Sequence, residues 1–417
     1  MMAALALLRG ERQARRFFAA HTQSSLGSGA AYVALLLLAY HRFHSPWAIT
    51  LVLLADFLPA IALGPLLGAA VDRFGRRRCA VIADASRALA FAGIWLSPSF
   101  PLTVALALVA GIGTALFKPA VLAGLPSLVD DERLPAATSL YGAIADLGHT
   151  LGPALAGAAL LVTGPRELLL ANAITFAVSA LLVAGVDLGA PASSTGRRAS
   201  LFAEARDGVT VTLRIPSVRT LLIGSSLAVL AAGMTNVGEL QLAKDSLHAG
   251  DAGFSIFVAL SGIGIVAGSL AAAGGGEAAA LRRRYLVGLV AMAGGMLVAG
   301  LAPLFAVAAV AFVALGGGNG LACVNEQLLV QRTVPEELLG RAFGVKSALI
   351  SSAFAVSLLL GGLVTSLVGP RALFVVAGAG LLCAAAWSAA RLSGEAGVQR
   401  RDDRRAELSS GVLPDLG

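Results

Sequence analysis

Charge is scarce in this chain: 13% of its 417 residues are Asp, Glu, Lys or Arg, against 57% hydrophobic residues. So little charge excludes the ordinary water-facing surface of a soluble globular domain, which is nearer one-quarter charged. Lysine stands only at Lys118, Lys244 and Lys346, so arginine carries the net charge of +7. No basic helix or aromatic-interleaved patch stands apart from the apolar runs, which excludes a nucleic-acid partner. The surplus instead fits loops lying near anionic lipid. Cys79, Cys323 and Cys383 are scattered through apolar segments without metal-ligand spacing and read as buried free thiols. The histidines do not cluster beyond His41-x-x-His44, so no metal site is expected. There is no G-x-x-x-x-G-K-[ST] motif, which excludes ATP as the energy source. No catalytic constellation or cofactor motif is present. The opening MMAALALLRGERQARRFF has too short an apolar run for a signal peptide and reads as a basic cytoplasmic lead-in.

What the chain has in abundance is long apolar runs. They predict twelve helices, at roughly 17–40, 47–71, 79–97, 101–126, 136–163, 166–188, 217–242, 251–274, 281–301, 303–330, 338–368 and 370–391. At 1.5 Å per residue each is long enough for a hydrocarbon core of about 30 Å. Links such as SPSFP at 97–101 force antiparallel neighbours. Basic residues gather on alternate connections: Arg9 to Arg16, Arg73 to Arg78, Arg197 to Arg219, Arg282 to Arg284 and Arg391 to Arg405. The others hold only Arg42, Arg166, Lys244 and Arg371. By the positive-inside rule both termini are cytoplasmic and the protein is a multi-pass protein of the cytoplasmic membrane.

The halves resemble each other. DDERLPAATSL (130–140) aligns with PEELLGRAFG (335–344), and GPREL (164–168) with GPRAL (369–373). Two parallel six-helix repeats facing one another suit an alternating-access carrier. The expected organisation is a lead at 1–16 and a six-helix bundle at 17–188. A cytoplasmic linker with an amphipathic helix follows at 189–216, then a second bundle at 217–391 and a tail at 392–417.

The stretch GAAVDRFGRRR (68–78) places Gly68, Asp72, Arg73, Gly75, Arg76 and Arg77 in the pattern G-x-x-x-D-R-x-G-R-[RK] between helices two and three. With this motif the chain resembles the major facilitator superfamily over nearly its full length. Asp84 with Arg87, FKPAVLAGLPSLV (117–129) and QRTVPEELLGRAFG (331–344) make it similar to the macrolide-efflux and siderophore-exporter branch. Gly148, Gly152, Pro153 and Gly157 resemble most of the helix-five antiporter motif, with Ala156 where a second glycine is usual. Ala107 and Val109 stand where many proton-coupled drug antiporters carry an arginine in helix four. Helix one has Gly27-Ser28-Gly29 where the branch often has an aspartate after the glycine. The resemblance implies that the 68–77 motif is a conformational latch and that helices 1, 4, 7 and 10 line a central cavity.

Charges inside spans are costly and ask for a reason. Asp56, Asp146, His149, His21 and Gln23 are the candidates for binding protons or substrate, with helix-packing contacts as the alternative for each. Asp146 and His149, three apart on helix five, share a face. Lys118 and Glu326, toward the cytoplasmic ends of helices four and ten, are candidates for a gate pair; each snorkelling alone is the alternative. Asp84 and Arg87 read as a structural pair supporting the charged loop, and Glu239 as a rim residue. The expected function is export of an amphipathic small molecule such as a drug, antibiotic or secondary metabolite, by exchange with protons, from a functional monomer in the lipid bilayer. An uncoupled facilitator or importer, a siderophore exporter, or a polytopic membrane enzyme or flippase are the alternatives.

Overall fold

In the computed structural model, the residues described are 12–97, 99–130, 133–160, 162–189, 210, 214–272, 277–334 and 339–409. Within them the side chains of Asp72, Asp146 and His149, among others, lie outside the described residues, as does most of the 189–216 linker with its expected amphipathic helix. Helix α1 spans Arg12–Phe43, so it starts inside the expected lead, where Ala14 and Phe17 are already buried. Arginine is a good helix former, and its long stem lets the charge reach water from the first turns. Helix α2 (Pro46–Phe74) opens with Ser45, whose hydroxyl accepts from the Trp47 N–H at 3.2 Å. Helix α3 spans Arg76–Leu96, α4 Phe100–Gly124, α5 Leu134–Ala159 and α6 Pro165–Ala184.

In the second half α7 runs Pro216–Ser246, its last turn Leu242–Ser246 widened into a π-helix. Helix α8 is Gly250–Ala272, α9 Ala278–Leu301 and α10 Phe305–Thr333. The last helical stretch, Leu339–Ser409, breaks at Gly369 (φ 82°) into α11 (339–368) and α12 (370–409), with Pro370 opening the second limb. Helix α12 thus continues well past the expected end at 391 into the expected tail. Ten stretches of the described residues are long and apolar enough to cross a membrane, one of them containing both α11 and α12. The protein is an all-α membrane protein of two six-helix halves.

The 68–78 motif is shorter as a loop than expected. Gly75 (φ 93°) is the single residue between α2 and α3. Its N–H donates to the Val71 carbonyl at 3.0 Å, and its carbonyl accepts from Cys79 N–H at 3.0 Å. One residue in a conformation that favours glycine reverses the chain, so the flanking charges can stay helical. Cys79 is buried, but Cys323 and Cys383 are exposed rather than buried. A thiol behaves as a small hydrophobe, so a helix surface in lipid imposes no penalty on it.

The two halves repeat each other's packing. Helix α1 packs on α5 and α6 as α7 packs on the α11–α12 stretch; α4 packs on α2 and α3 as α10 packs on α8 and α9; and α6 meets α3 as α12 meets α9. Between the halves α2 meets α11 and α5 meets α8. The seams are built on backbone contact. A Cβ placed on Gly29 of α1 would lie 2.1 Å from the Gly148 carbonyl oxygen of α5, and one on Gly152 would lie 2.6 Å from Gly29 Cα. In the GGGNG run of α10, a Cβ on Gly316 would sit 1.9 Å from the Ser261 carbonyl of α8.

Two faces of the bundle are distinct. On the basic face, the ends bearing Arg73 to Arg78 and Arg282 to Arg284, Gln13 accepts from the Asp187 N–H at 2.8 Å within the first half. On the opposite face, Arg371 donates to the carbonyls of Ala302 (2.6 Å) and Ser246 (3.2 Å), tying the starts and ends of α12, α9 and α7 together. Among the described residues, contacts joining the halves gather toward this opposite face. Thr50 of α2 donates to the Leu358 carbonyl at 3.3 Å, and Phe57 meets Phe354 edge-on at 5.0 Å between centroids. By contrast, Gly68 near the basic end of α2 and Gly142 near the basic end of α5 face open space. A Cβ on Gly68 would therefore meet none of the described residues in this conformation.

Gly29→Val and Gly68→Val should separate these situations. Overpacking costs about 1–3 kcal/mol, so Gly29→Val should lower the melting temperature of the solubilised protein by several degrees, while Gly68→Val should melt like the unsubstituted chain.

Candidate functional site

Where α1, α7, α8, α9, α10 and α11 converge, a cavity of about 290 Å³ opens. Its wall is mostly apolar: Phe312, Met292, Met296 and Phe354 contribute, with Tyr32, Asn236 and Asn319 as polar members. Glu239 also lines it. One of its carboxylate oxygens, Oε1, is out of contact with solvent and has no hydrogen-bond partner. The Tyr32 hydroxyl donates to Asn236 Oδ1 at 3.1 Å across the halves, and Asn236 Nδ2 donates to the Gly233 carbonyl at 2.9 Å. Asn236 and Glu239 are three apart on α7 and so share its inward face. Glu239 is therefore a cavity residue, not a rim one. The N-V-G-E run at 236–239 held that signal, because a polar pair at helical spacing in an apolar span faces protein rather than lipid.

Beyond the cavity the halves are joined by a polar cluster on the opposite face. Tyr40 donates to Asp245. Asp251 receives His41 Nε2 at 3.1 Å and pairs with Lys244, which also contacts His41. His41 and Tyr40 come from the end of α1, the acids and the lysine from α7 and α8, so the cluster bridges first half to second. Sequence reasoning did not foresee it, since its members are some 200 positions apart.

The first half holds its charge differently. Asp84 and Arg87 are buried on α3 and paired with each other. Ser179 of α6 donates to Asp84 Oδ2 at 2.7 Å. The guanidinium lies over Phe176 at 4.2 Å and Phe117 at 4.5 Å. A Cβ on Gly113 of α4 would meet Arg87 Cγ at 2.7 Å, so a glycine makes room for the arginine. Arg87 thus packs against α4 at Gly113 and Phe117. The pair supports the interior of the half rather than the charged loop. Asp56 of α2 is half-buried and within electrostatic reach of Arg87.

Other expected residues divide into several groups. His21 is stacked on Tyr141 at 4.2 Å and its Nε2 lies 3.1 Å from the Tyr141 carbonyl. Gln23 donates to the Thr175 carbonyl at 2.7 Å. Both bind α1 to its neighbours α5 and α6. Glu326 is paired with Lys346 of α11 at 3.1 Å, so in this conformation it does not take Lys118, which is exposed. Of the helix-five residues, Gly148 and Gly152 seat α1, whereas Gly157 faces Ser255 of α8 across the halves. Asp146 and His149 sit on α5, and Asp72 near the end of α2, with side chains outside the described residues.

Residues 17–206 and 221–413 match the family model of the Major Facilitator Superfamily. The chain belongs to that superfamily. It is 27% identical over 388 residues to the uncharacterized MFS-type transporter YfiS of Bacillus subtilis (strain 168), covering 89% of this chain and 91% of that one. It is 28% identical to the multidrug efflux pump Tap of Mycolicibacterium fortuitum, covering 86% and 90%. With macrolide efflux protein A of Streptococcus pyogenes it shares 22% identity, over 88% and 93%. Among solved structures, the nucleoside transporter NupG superposes with a TM-score of 0.70 at 12% identity, covering 91% of this chain and 99% of that one. The human organic anion transporter MFSD10 (TETRAN) gives 0.64 at 18%, covering 90% and 99%. The chain is a multi-pass transporter-family protein of the cytoplasmic membrane, with lipid around it and a small molecule as its cargo.

Removing one partner of a buried ion pair costs about 3–5 kcal/mol. Asp84→Ala should therefore destabilise the solubilised protein strongly in thermal melts, while Asp84→Ala with Arg87→Met should recover much of the loss.

Proposed function

We propose that the protein exports an amphipathic small molecule by alternating access, in exchange for protons, as a functional monomer. The observation that carries this reading is the uneven joining of the halves among the described residues. Side chains clasp them on the opposite face, while an added Cβ on Gly68 or Gly142, on the basic ends of the same contacting helices, would have open space around it. Two similar bodies joined at one end around a cavity are the parts an alternating-access carrier needs. The basic face is the cytoplasmic one by its arginines, so the conformation is inward-open, with both termini inside. The halves are the bodies at 17–188 and 217–391, with the 189–216 linker between them, and 1–16 and 392–417 on the cytoplasmic side.

Closure on the cytoplasmic face brings the α2 motif to α11. Gly68 and Gly75 then allow contact while Asp72, Arg73, Arg76 and Arg77 form the latch. In the same movement Glu326 exchanges Lys346 for Lys118. Proton exchange uses carboxylates inside the spans, with Asp56 and the Asp146–His149 pair as its members in the first half. The full-length likeness to Tap and to macrolide efflux protein A supports export of a drug-like amphiphile.

Everted membrane vesicles containing the protein should accumulate an amphiphilic dye when a proton gradient is imposed and lose it on adding a protonophore. Gradient-independent accumulation would remove the exchange with protons; no accumulation of any of a panel of amphiphiles would remove the export reading. A second test concerns the clasp. A Cβ on Gly362 would lie 3.3 Å from Thr50 Cβ, close to the separation a disulfide needs. In a background lacking the native cysteines, Thr50→Cys with Gly362→Cys should oxidise to a disulfide that stops transport, and a reductant should restore it. Transport that continues at full rate in the oxidised form would show that the halves need not part there.

A further inference from the structure

We propose that the Glu239 cavity is the cargo site and that its cargo is an organic monocation: a protonated amine or a quaternary centre on an apolar or aromatic body. Family membership leaves the sign of the cargo's charge open, because structures of the same fold include a nucleoside transporter and an organic anion transporter. That sign has to come from the chain's own side chains.

Three observations give it. Two other buried carboxylates in the interior of the spans are each held by a cation of their own half, Asp84 by Arg87 and Glu326 by Lys346, and the half-buried Asp56 lies within electrostatic reach of Arg87. Glu239 has no such neighbour: none of the described residues lining its cavity is Lys, Arg or His. Among the described residues its buried Oε1 is also without a hydrogen-bond partner, as is Glu326 Oε1, but Glu326 has Lys346 beside its other oxygen. An ionised carboxylate so placed is costly unless a proton neutralises it or a bound cation supplies the missing charge, and an anionic cargo would add to the cost.

The rest of the wall fits the body of such a molecule. Phe312, Phe354 and Tyr32 place aromatic rings in the wall, and aromatic rings attract cations. Met292 and Met296 supply polarizable, adaptable surface, and Asn319 supplies a neutral polar contact. At about 290 Å³ the space suits a cargo at the small end of drug size. The Tyr32–Asn236 hydrogen bond crosses the halves one turn from the carboxylate, so an occupant there touches both bodies that must move.

The inference rests on the export reading only for the direction of movement; binding is measured separately. The probe is tritiated N-methyl-4-phenylpyridinium, a permanent monocation with an aromatic body, titrated onto the purified full chain in lipid nanodiscs. The unsubstituted protein should bind it saturably. Glu239→Gln should weaken binding by about tenfold or more, Glu239→Asp should retain part of it, and Glu167→Gln, an exposed charge change, should leave it unchanged. Thermal melts of each variant confirm that the fold is intact. Absence of saturable binding, or Glu239→Gln binding within about twofold of the unsubstituted chain, would overturn the proposal. Dye export in vesicles alongside either of those outcomes would retain the export reading and sink this one; saturable, Glu239-dependent binding without flux would do the reverse.

Discussion

Backbone lying against backbone is the contact on which this structure depends. In lipid, apolar side chains gain nothing by turning from the acyl tails toward a neighbouring helix, so cohesion comes from close packing and from interhelical hydrogen bonds. Gly29 against Gly148 and Gly152, and Gly316 against Ser261, bring main chains within the reach of one missing side chain. These seams run inside each half and make it a body. On the basic side, a Cβ on Gly68 or Gly142 would meet nothing within 4 Å among the described residues. Rigid bodies with a partly unmade interface between them are the result.

On that frame the two halves dispose of buried charge in opposite ways. The first half holds a pair internally: Arg87 sits between Asp84 and two aromatic rings, and Ser179 donates to the aspartate. The second half pairs Glu326 with Lys346 but leaves Glu239 facing a cavity. The packing repeat is therefore much closer than the chemical repeat. Even matched turns diverge, since Gly164 starts α6 with φ −93° while Gly369 breaks α11 from α12 with φ 82°.

Much of the architecture was legible from the residues, because a span in lipid has to be apolar along its whole length and its links have to be short. The superfamily was legible too, from the spacing of Gly68, Asp72, Arg73, Gly75, Arg76 and Arg77. Helix ends were less so: Arg12, Arg15 and Arg16 read as a lead although they form the first turns of α1. Rotation about each helix axis was not legible at all. Gln23 and His21, polar and inside a cavity-lining helix, turn toward α6 and α5, whereas Glu239, which seemed too near the end of its span, turns into the cavity. Partner choice fails for the same reason, as with Glu326, whose cation comes from α11 rather than α4.

The single-residue joint at Gly75 has a mechanical consequence. Helices α2 and α3 leave it in opposite directions, each pinned to it by a main-chain hydrogen bond, with no slack between them. Any swing of the basic end of α2 toward the second half must drag the start of α3 with it. That pull is delivered two turns from Asp84 and three from Arg87. In the proposed movement the elbow would work as a short crank between the interface and a charge pair locked in the interior, and inserting even one flexible residue there would let the stroke slip.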